Sequence, residues 1–233
     1  NKNNYDLCKY YSKTIYKHLL GMFKVDYKDP TNFIYVYNKE NIDNYKDGLS
    51  WNFSKIISLY YKAYKLKEIE YTDDNQITSF PVYPNMEFCY LENNKLTSFP
   101  IQPNLVHCDL NDNKITDFPI QPNMTYCNIH KNNLTSFPIQ PKMVDCVLDY
   151  NNLTSFPVQP KMKNCKLNNN NLITFPVQPS MTYCDLNNNN LTSFPVQPNM
   201  KDCLLYNNKL TNFPVQPNME SCMLSNNKLT TFP

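Results

Sequence analysis

Residues 86–104 read MEFCYLENNKLTSFPIQPN, and the rest of the chain repeats this stretch with substitutions. Phe80, Phe99, Phe118, Phe137, Phe156, Phe175, Phe194, Phe213 and Phe232 each precede a proline and follow one another at intervals of 19 residues. A fixed period of about 20–50 residues is the mark of a solenoid, in which each unit buries its apolar side only against its neighbours. The period therefore sets the architecture before any single residue is interpreted.

Counting each unit from Met86 makes its demands explicit. Position 4 is cysteine in every copy: Cys89, Cys108, Cys127, Cys146, Cys165, Cys184, Cys203 and Cys222. Position 6 is Leu or Ile, from Leu91 to Leu224, and position 11 is Leu or Ile, from Leu96 to Leu229. Positions 4 and 6 lie two apart, so both side chains leave a strand on one face, while positions 3, 5 and 7 point the other way. Position 9 is always asparagine: Asn94, Asn113, Asn132, Asn151, Asn170, Asn189, Asn208 and Asn227. Its amide both donates and accepts, which suits a bend where the strand leaves backbone groups unpaired. Stacked once per unit, these asparagines are expected to form a ladder.

The second half of the unit carries prolines at positions 15 and 18. Proline has no N–H and a fixed φ, so this half is neither helix nor central strand and suits an extended, polyproline-like path. Phe at position 14 and Ile or Val at position 16 are expected to point inward. One unit alone does not fold: about six buried apolar side chains at roughly 1.5–3 kcal/mol each cannot outweigh about 1–2 kcal/mol of backbone ordering per residue. A stack that shares both faces can.

The pattern M-x-x-C-x-L-x-x-N-x-L resembles the leucine-rich repeat, and the L-T-x-F-P tail is similar to the shortest class of that family, found in bacterial effectors with L-T-x-L-P. The resemblance covers residues 86–233 in register, departing from the family in Met at position 1, Cys at position 4 and Phe at position 14. All three exchanges keep the position apolar. It implies an α/β solenoid, a right-handed coil of short parallel strands and extended segments, with a small and mainly helical N-terminal cap.

Residues 1–65 are that expected cap or docking region. Leu7, Tyr11, Ile15 and Leu19 are spaced as one face of a helix over residues 6–23, residues 33–37 have strand composition, and Ser50 opens a second helix striped by Phe53, Ile56, Ile57, Tyr60, Tyr61 and Tyr64. An F-box-like adaptor is a sharper reading of the region, but the Leu-Pro opening of an F-box is missing. Leu66, Ile69 and Tyr71, then Ile77 and Phe80, imitate positions 1, 4, 6, 11 and 14 with one extra residue between the groups. The solenoid is thus placed at residues 66–233, with a degenerate first unit at 66–85. The chain stops in mid-unit at Pro233, so either a longer chain continues it or the last rung is open to pairing.

Net charge argues neither for nor against nucleic acid. The net charge is +2, with +5 on residues 1–65 and −3 on 66–233, and neither segment is the basic patch that nucleic acid needs. No run of about 18 apolar residues marks a membrane span. Arginine is absent, while Asn, Lys, Tyr and Phe abound. That usage implies an AT-rich coding sequence, and with tandem repeats it is similar to what giant DNA viruses of amoebae encode. Eight cysteines at one inward strand position act as small hydrophobes, and bridging in-register neighbours would strain a disulfide. A reduced thiol column in the cytoplasm, the host cell's if the protein is viral, is the expectation. The N-x-S/T sequons at Asn52, Asn123, Asn133, Asn152 and Asn190 arise mostly from the repeat itself and carry little weight toward secretion.

Function is left to the outward positions. Position 3 offers Phe88, His107, Tyr126, Asp145, Tyr183 and Asp202; position 5 offers Tyr90, Asp109, Val147, Asp185 and Leu204; position 7 offers His130 and Tyr206; and position 8 offers Tyr150. Aromatic anchors in a polar surround on a concave sheet are the ingredients of a protein-recognition surface, with Tyr126, Tyr150, Tyr183, Leu204 and Tyr206 as its expected hot spot. Catalysis finds no support: Asp145 and Asp149 are roughly 13 Å apart along an extended chain, too far for a retaining carboxylate pair. His107 and His130 occupy different positions of neighbouring units, and the solenoid contains no glycine to build a phosphate loop. No metal, cofactor or small-molecule substrate is expected. The reading is a non-enzymatic module that binds a host or cellular protein, with two alternatives. One is the substrate receptor of a ubiquitin ligase docked through residues 1–65, and the other is a structural component of a particle.

Overall fold

The structure is a computed structural model and describes residues 67–70 and 77–231. Nine three-residue strands, β1 (Glu68–Glu70), β2 (Phe88–Tyr90), β3 (His107–Asp109), β4 (Tyr126–Asn128), β5 (Asp145–Val147), β6 (Asn164–Lys166), β7 (Tyr183–Asp185), β8 (Asp202–Leu204) and β9 (Ser221–Met223), form one parallel sheet in chain order. Each strand is too short to hold itself. Register is kept by the period, so that Cys108 pairs with Cys127, Cys127 with Cys146, and so on to Cys222. Ile69 opposes Cys89 across a step of 20 residues, which absorbs the extra residue of the degenerate unit. The fold is that of a leucine-rich repeat solenoid, and no helix occurs among the described residues. The expected helices of the N-terminal cap, with Leu66 and Tyr71, lie outside them.

The interior is built of columns. Position 1 (Met86 to Met200), the cysteines up to Cys203, and the Leu or Ile of positions 6 and 11 up to Leu205 and Leu210 are almost wholly buried. The phenylalanines of position 14 stack from rung to rung with ring centroids 5.6–6.1 Å apart and near-parallel planes.

The asparagine ladder has the form expected of it. Asn113 is representative: its Nδ2 donates to the carbonyls of Leu91 (2.8 Å) and Leu110 (3.1 Å), and its Oδ1 accepts the Leu96 N–H at 3.0 Å. One side chain thus ties its own rung to the preceding one through three backbone groups.

Two features depart from the sequence reading. Position 16 does not point inward: Ile101, Ile120, Ile139, Val158, Val177, Val196 and Val215 are 44–68 % exposed. The inward residue is the next one, glutamine, and Gln102, Gln121, Gln140, Gln159, Gln178 and Gln197 are fully buried. A polyproline path returns to the same side every three residues, not every two, so Phe at 14 is followed inward by Gln at 17. The glutamines form a second polar ladder. Gln121 Oε1 accepts the Gln102 N–H at 2.8 Å, and its Nε2 donates to the Pro100 carbonyl at 2.9 Å. Prolines leave the backbone of this half with few donors, and the glutamine amide supplies what the missing N–H groups cannot.

The second departure is at position 8. Asn93, Asp112, Lys131, Tyr150, Asn169, Asn188, Asn207 and Asn226 all have φ between 49° and 56°. Asparagine and aspartate tolerate this left-handed region best among residues with a Cβ, which accounts for six of the eight. Lys131 and Tyr150 have no such excuse. These bends turn the chain out of the strand just after position 7.

Candidate functional site

Strand alternation puts the cysteines inside and leaves positions 3 and 5 on the outer face of the sheet, half-buried or exposed. At its N-terminal end the side chains assemble into a continuous group. His107 stacks on Tyr126 (centroids 4.2 Å apart, planes at 17°), Tyr90 lies 5.5 Å from the same imidazole and Phe88 6.3 Å. Asp109, beside His107, is held by neutral donors. Asn111 Nδ2 donates to its Oδ1 at 2.6 Å and Asn128 Nδ2 to its Oδ2 at 2.9 Å. Burial lowers the pKa of His107, against the smaller opposing pull of Asp109.

Around the bend the group continues through position 7. His130 Nδ1 is 2.6 Å from Asp149 Oδ2, one rung on, and the Tyr150 ring meets the His130 ring edge-on at 5.3 Å. Asp149 is buried, as is Asn187 at the same position two units along, so position 7 is not uniformly the exposed column expected of it. The rest of the column is half-buried at Glu92, Asn111, His130, Asn168 and Tyr206 and exposed at Ser225. Oδ1 of Asp149 and Oε2 of Glu92 are buried with no hydrogen-bond partner among the described residues.

The other expected anchors form a separate patch. Tyr183 and Asp185 lie on β7, Asp202 and Leu204 on β8, and Tyr206 beyond it. Three rungs separate Tyr126 from Tyr183, about 14 Å at the usual strand spacing. Burial raises the pKa of Asp185, partly offset by the Asn187 amide, and the same desolvation pushes the Tyr183 phenol up to about 12. Val147 and Asp145 on β5, with exposed Asn164 and Lys166 on β6, separate the two patches. The five residues singled out as one hot spot thus do not form one group: Tyr126 stacks on His107, Tyr150 meets His130, and Tyr183, Leu204 and Tyr206 lie on β7, on β8 and just beyond it.

The sequence reading missed the His130–Asp149 contact, although its signal was plain. The two residues are 19 apart, which in a solenoid makes them neighbours in one column. The amides that brace the acids, Asn111, Asn128 and Asn187, stand at outward positions to which the sequence alone assigns no role.

Burial raises the pKa of every thiol in the column, Cys203 to about 12, so the cysteines are held as neutral thiols. Among the described residues no hydroxyl or thiol is hydrogen-bonded to His130, and no group of His, Cys, Asp or Glu is placed to hold a metal ion.

No protein-family model and no curated protein sequence matches the chain. Solved structures do. YopM from Yersinia enterocolitica superposes with a TM-score of 0.68 at 24 % identity over 72 % of this chain, which spans 39 % of that protein. YopM from Yersinia pestis, described as a leucine-rich effector protein, gives 0.66 at 19 % identity over 88 % of this chain and 68 % of that one. A Shigella effector leucine-rich repeat domain gives 0.57 at 16 % identity over 88 % and 86 %. At these identities the likeness is one of fold.

Proposed function

We propose that the chain is a non-enzymatic protein-interaction module that binds a protein partner, of the host or of its own cell, along the outer face of the sheet. The observation that carries this reading is the pair of aromatic–acidic clusters on that face. Folding asks only that these positions be compatible with a strand, yet they hold ordered stacks such as His107 on Tyr126. Half-buried tyrosines bring large apolar area and a hydrogen-bonding end at little cost in rotamer entropy, which is why they serve as anchors. The similar folds support the reading by what they are. Two are bacterial effectors, and a similar Toll structure is solved in complex with Spatzle. Another neighbour is TLR13 in complex with an RNA, so the fold itself does not choose between protein and nucleic acid. The acidic outer face here favours protein over nucleic acid. The cytoplasm, or a host cytoplasm if the source is viral, is the compartment we assign, because a long column of neutral thiols suits a reducing milieu.

The test is affinity capture with the full chain against the full chain carrying Tyr126→Ala and Tyr183→Ala. Loss of the captured proteins from the variant, with an unchanged circular-dichroism spectrum, is the expected result. Capture of the same set at the same yield would overturn the reading.

A further inference from the structure

Charge is sorted by face in this solenoid. Positions 3, 5 and 7, with their counterparts on β1, hold Glu68, Glu70, Glu92, Asp109, Asp145, Asp149, Asp185 and Asp202, eight of the twelve carboxylates among the described residues. The same positions hold one of the eleven lysines, Lys166. The other ten lysines lie on the edges of the coil and at its bends.

The pairing follows the same division. The lysine ion pairs among the described residues are Lys67–Glu87, Lys131–Asp112 and Lys201–Glu220, all off the face. None of the eight face carboxylates is ion-paired with a lysine among the described residues. Asp109, Asp145 and Asp185 are instead braced by the amides of Asn111 and Asn128, of Asn164, and of Asn187. An amide fixes a carboxylate in place and leaves its charge uncancelled. Glu92 and Asp149 each keep a buried oxygen with no partner among the described residues. A face designed only to be soluble would scatter both signs.

We infer that this face takes a basic partner, an extended arginine- or lysine-bearing protein segment laid across β3 to β8, with its cations on Asp109, Asp185 and Asp202. The inference rests on the interaction reading above and names the chemistry of its partner. Fixed, half-dehydrated carboxylates are good acceptors for a guanidinium, whose fork matches them in two bonds. Tyr126 and Tyr183 stand beside Asp109 and Asp185 in their strands' columns, where the same guanidinium can lie on a ring face. An acidic face also steers a basic segment toward it and repels nucleic acid.

The experiment uses the full chain and fluorescein-labelled dodecapeptides of alternating Arg-Ser and of alternating Glu-Ser, with an oligoribonucleotide of similar length, read by fluorescence anisotropy. The Arg-Ser peptide is expected to bind, with affinity falling about tenfold or more between low and moderate salt. The triple variant Asp109→Asn, Asp185→Asn, Asp202→Asn should bind it about tenfold more weakly or worse, while Asp117→Asn, on the far edge, changes nothing. If the triple variant loses its circular-dichroism spectrum, the salt titration of the unaltered chain decides. Binding of the Glu-Ser peptide or the oligoribonucleotide as tightly as the Arg-Ser peptide, or equal binding by the triple variant and Asp117→Asn, would overturn the inference. If the tyrosine variant loses its captured partners while the triple variant keeps them, the basic-partner inference fails and the interaction reading stands. If both variants keep them, both fail.

Discussion

His130 Nδ1 sits 2.6 Å from Asp149 Oδ2, and the two residues occupy the same position of consecutive repeats. Asp149 is buried and its other oxygen has no hydrogen-bond partner among the described residues, so the imidazole is the one group shown to satisfy this carboxylate.

Removing the imidazole therefore leaves a buried carboxylate with neither oxygen paired. His130→Ala is expected to cost about 1–3 kcal/mol in urea unfolding. The double variant His130→Ala, Asp149→Ala should recover much of that loss, because it removes the stranded charge with its partner. A double variant as unstable as the sum of the two single ones would show that the contact contributes nothing.

The glutamine ladder makes a contrast within two adjacent residues. Gln159 is fully buried, accepts the Gln140 N–H at 2.8 Å and donates to the Pro138 carbonyl at 3.0 Å. Val158 beside it is 44 % exposed. Gln159→Ala should cost about 1–3 kcal/mol, while Val158→Ser should stay within about 0.5 kcal/mol. Reversal of that order would mean that position 16, and not 17, faces the core.

How much of this was legible turns on which period is applied where. Two-residue alternation places Cys127 inside and Tyr126 outside, and both sit there. The 19-residue period alone gives the register that pairs Cys127 with Cys146 and stacks Phe137 on Phe156. The same alternation carried into the proline half puts Val158 inside and ignores Gln159, because the three-residue turn of polyproline governs there. His130 and Asp149 escaped notice for a different reason. A side-chain pair one period apart is visible in a sequence only when the column is read downward and not along the chain. The left-handed bend at Tyr150 had a signal too, in the Asn and Asp that fill the other units, but tyrosine hides it.

The thiol column makes stability depend on alkaline pH. Burial raises the pKa of Cys127, Cys165 and Cys184 well above the ordinary value, and that of Cys203 to about 12. In the unfolded chain a thiol ionises near about 8.5. Above that pH the native state binds more protons than the unfolded state, so stability falls as pH rises. The stabilisation is complete below the unfolded thiol pKa and is lost as pH climbs toward the folded values. Urea midpoints should accordingly hold level to about pH 8 and decline steadily beyond it. A thiol reagent at pH 8 should modify half-buried Cys222 well before the buried members of the column. Uniform reactivity of the cysteines in the folded protein would contradict the buried column.

Lys131 and Tyr150 hold left-handed φ values of 49° and 54° where six sister repeats use Asn or Asp. A residue with a long or bulky side chain is strained there by about 1 kcal/mol or more relative to its ordinary backbone. Lys131→Asn removes that strain and gives up only an exposed ion pair to Asp112 at 3.6 Å. It should therefore stabilise the protein by about 0.5–1 kcal/mol. Tyr150→Asn relieves the same strain but loses the edge-on contact with His130, itself about 0.5–1.5 kcal/mol, so its net effect on stability should be near zero. On the proposed reading, Tyr150 is kept for the partner that the face binds. Tyr150→Asn should weaken partner capture while leaving the urea midpoint in place, and Lys131→Asn should raise the midpoint and leave capture alone. If Tyr150→Asn leaves capture unchanged, Tyr150 is no part of the binding surface, and the N-terminal cluster ends at Tyr126.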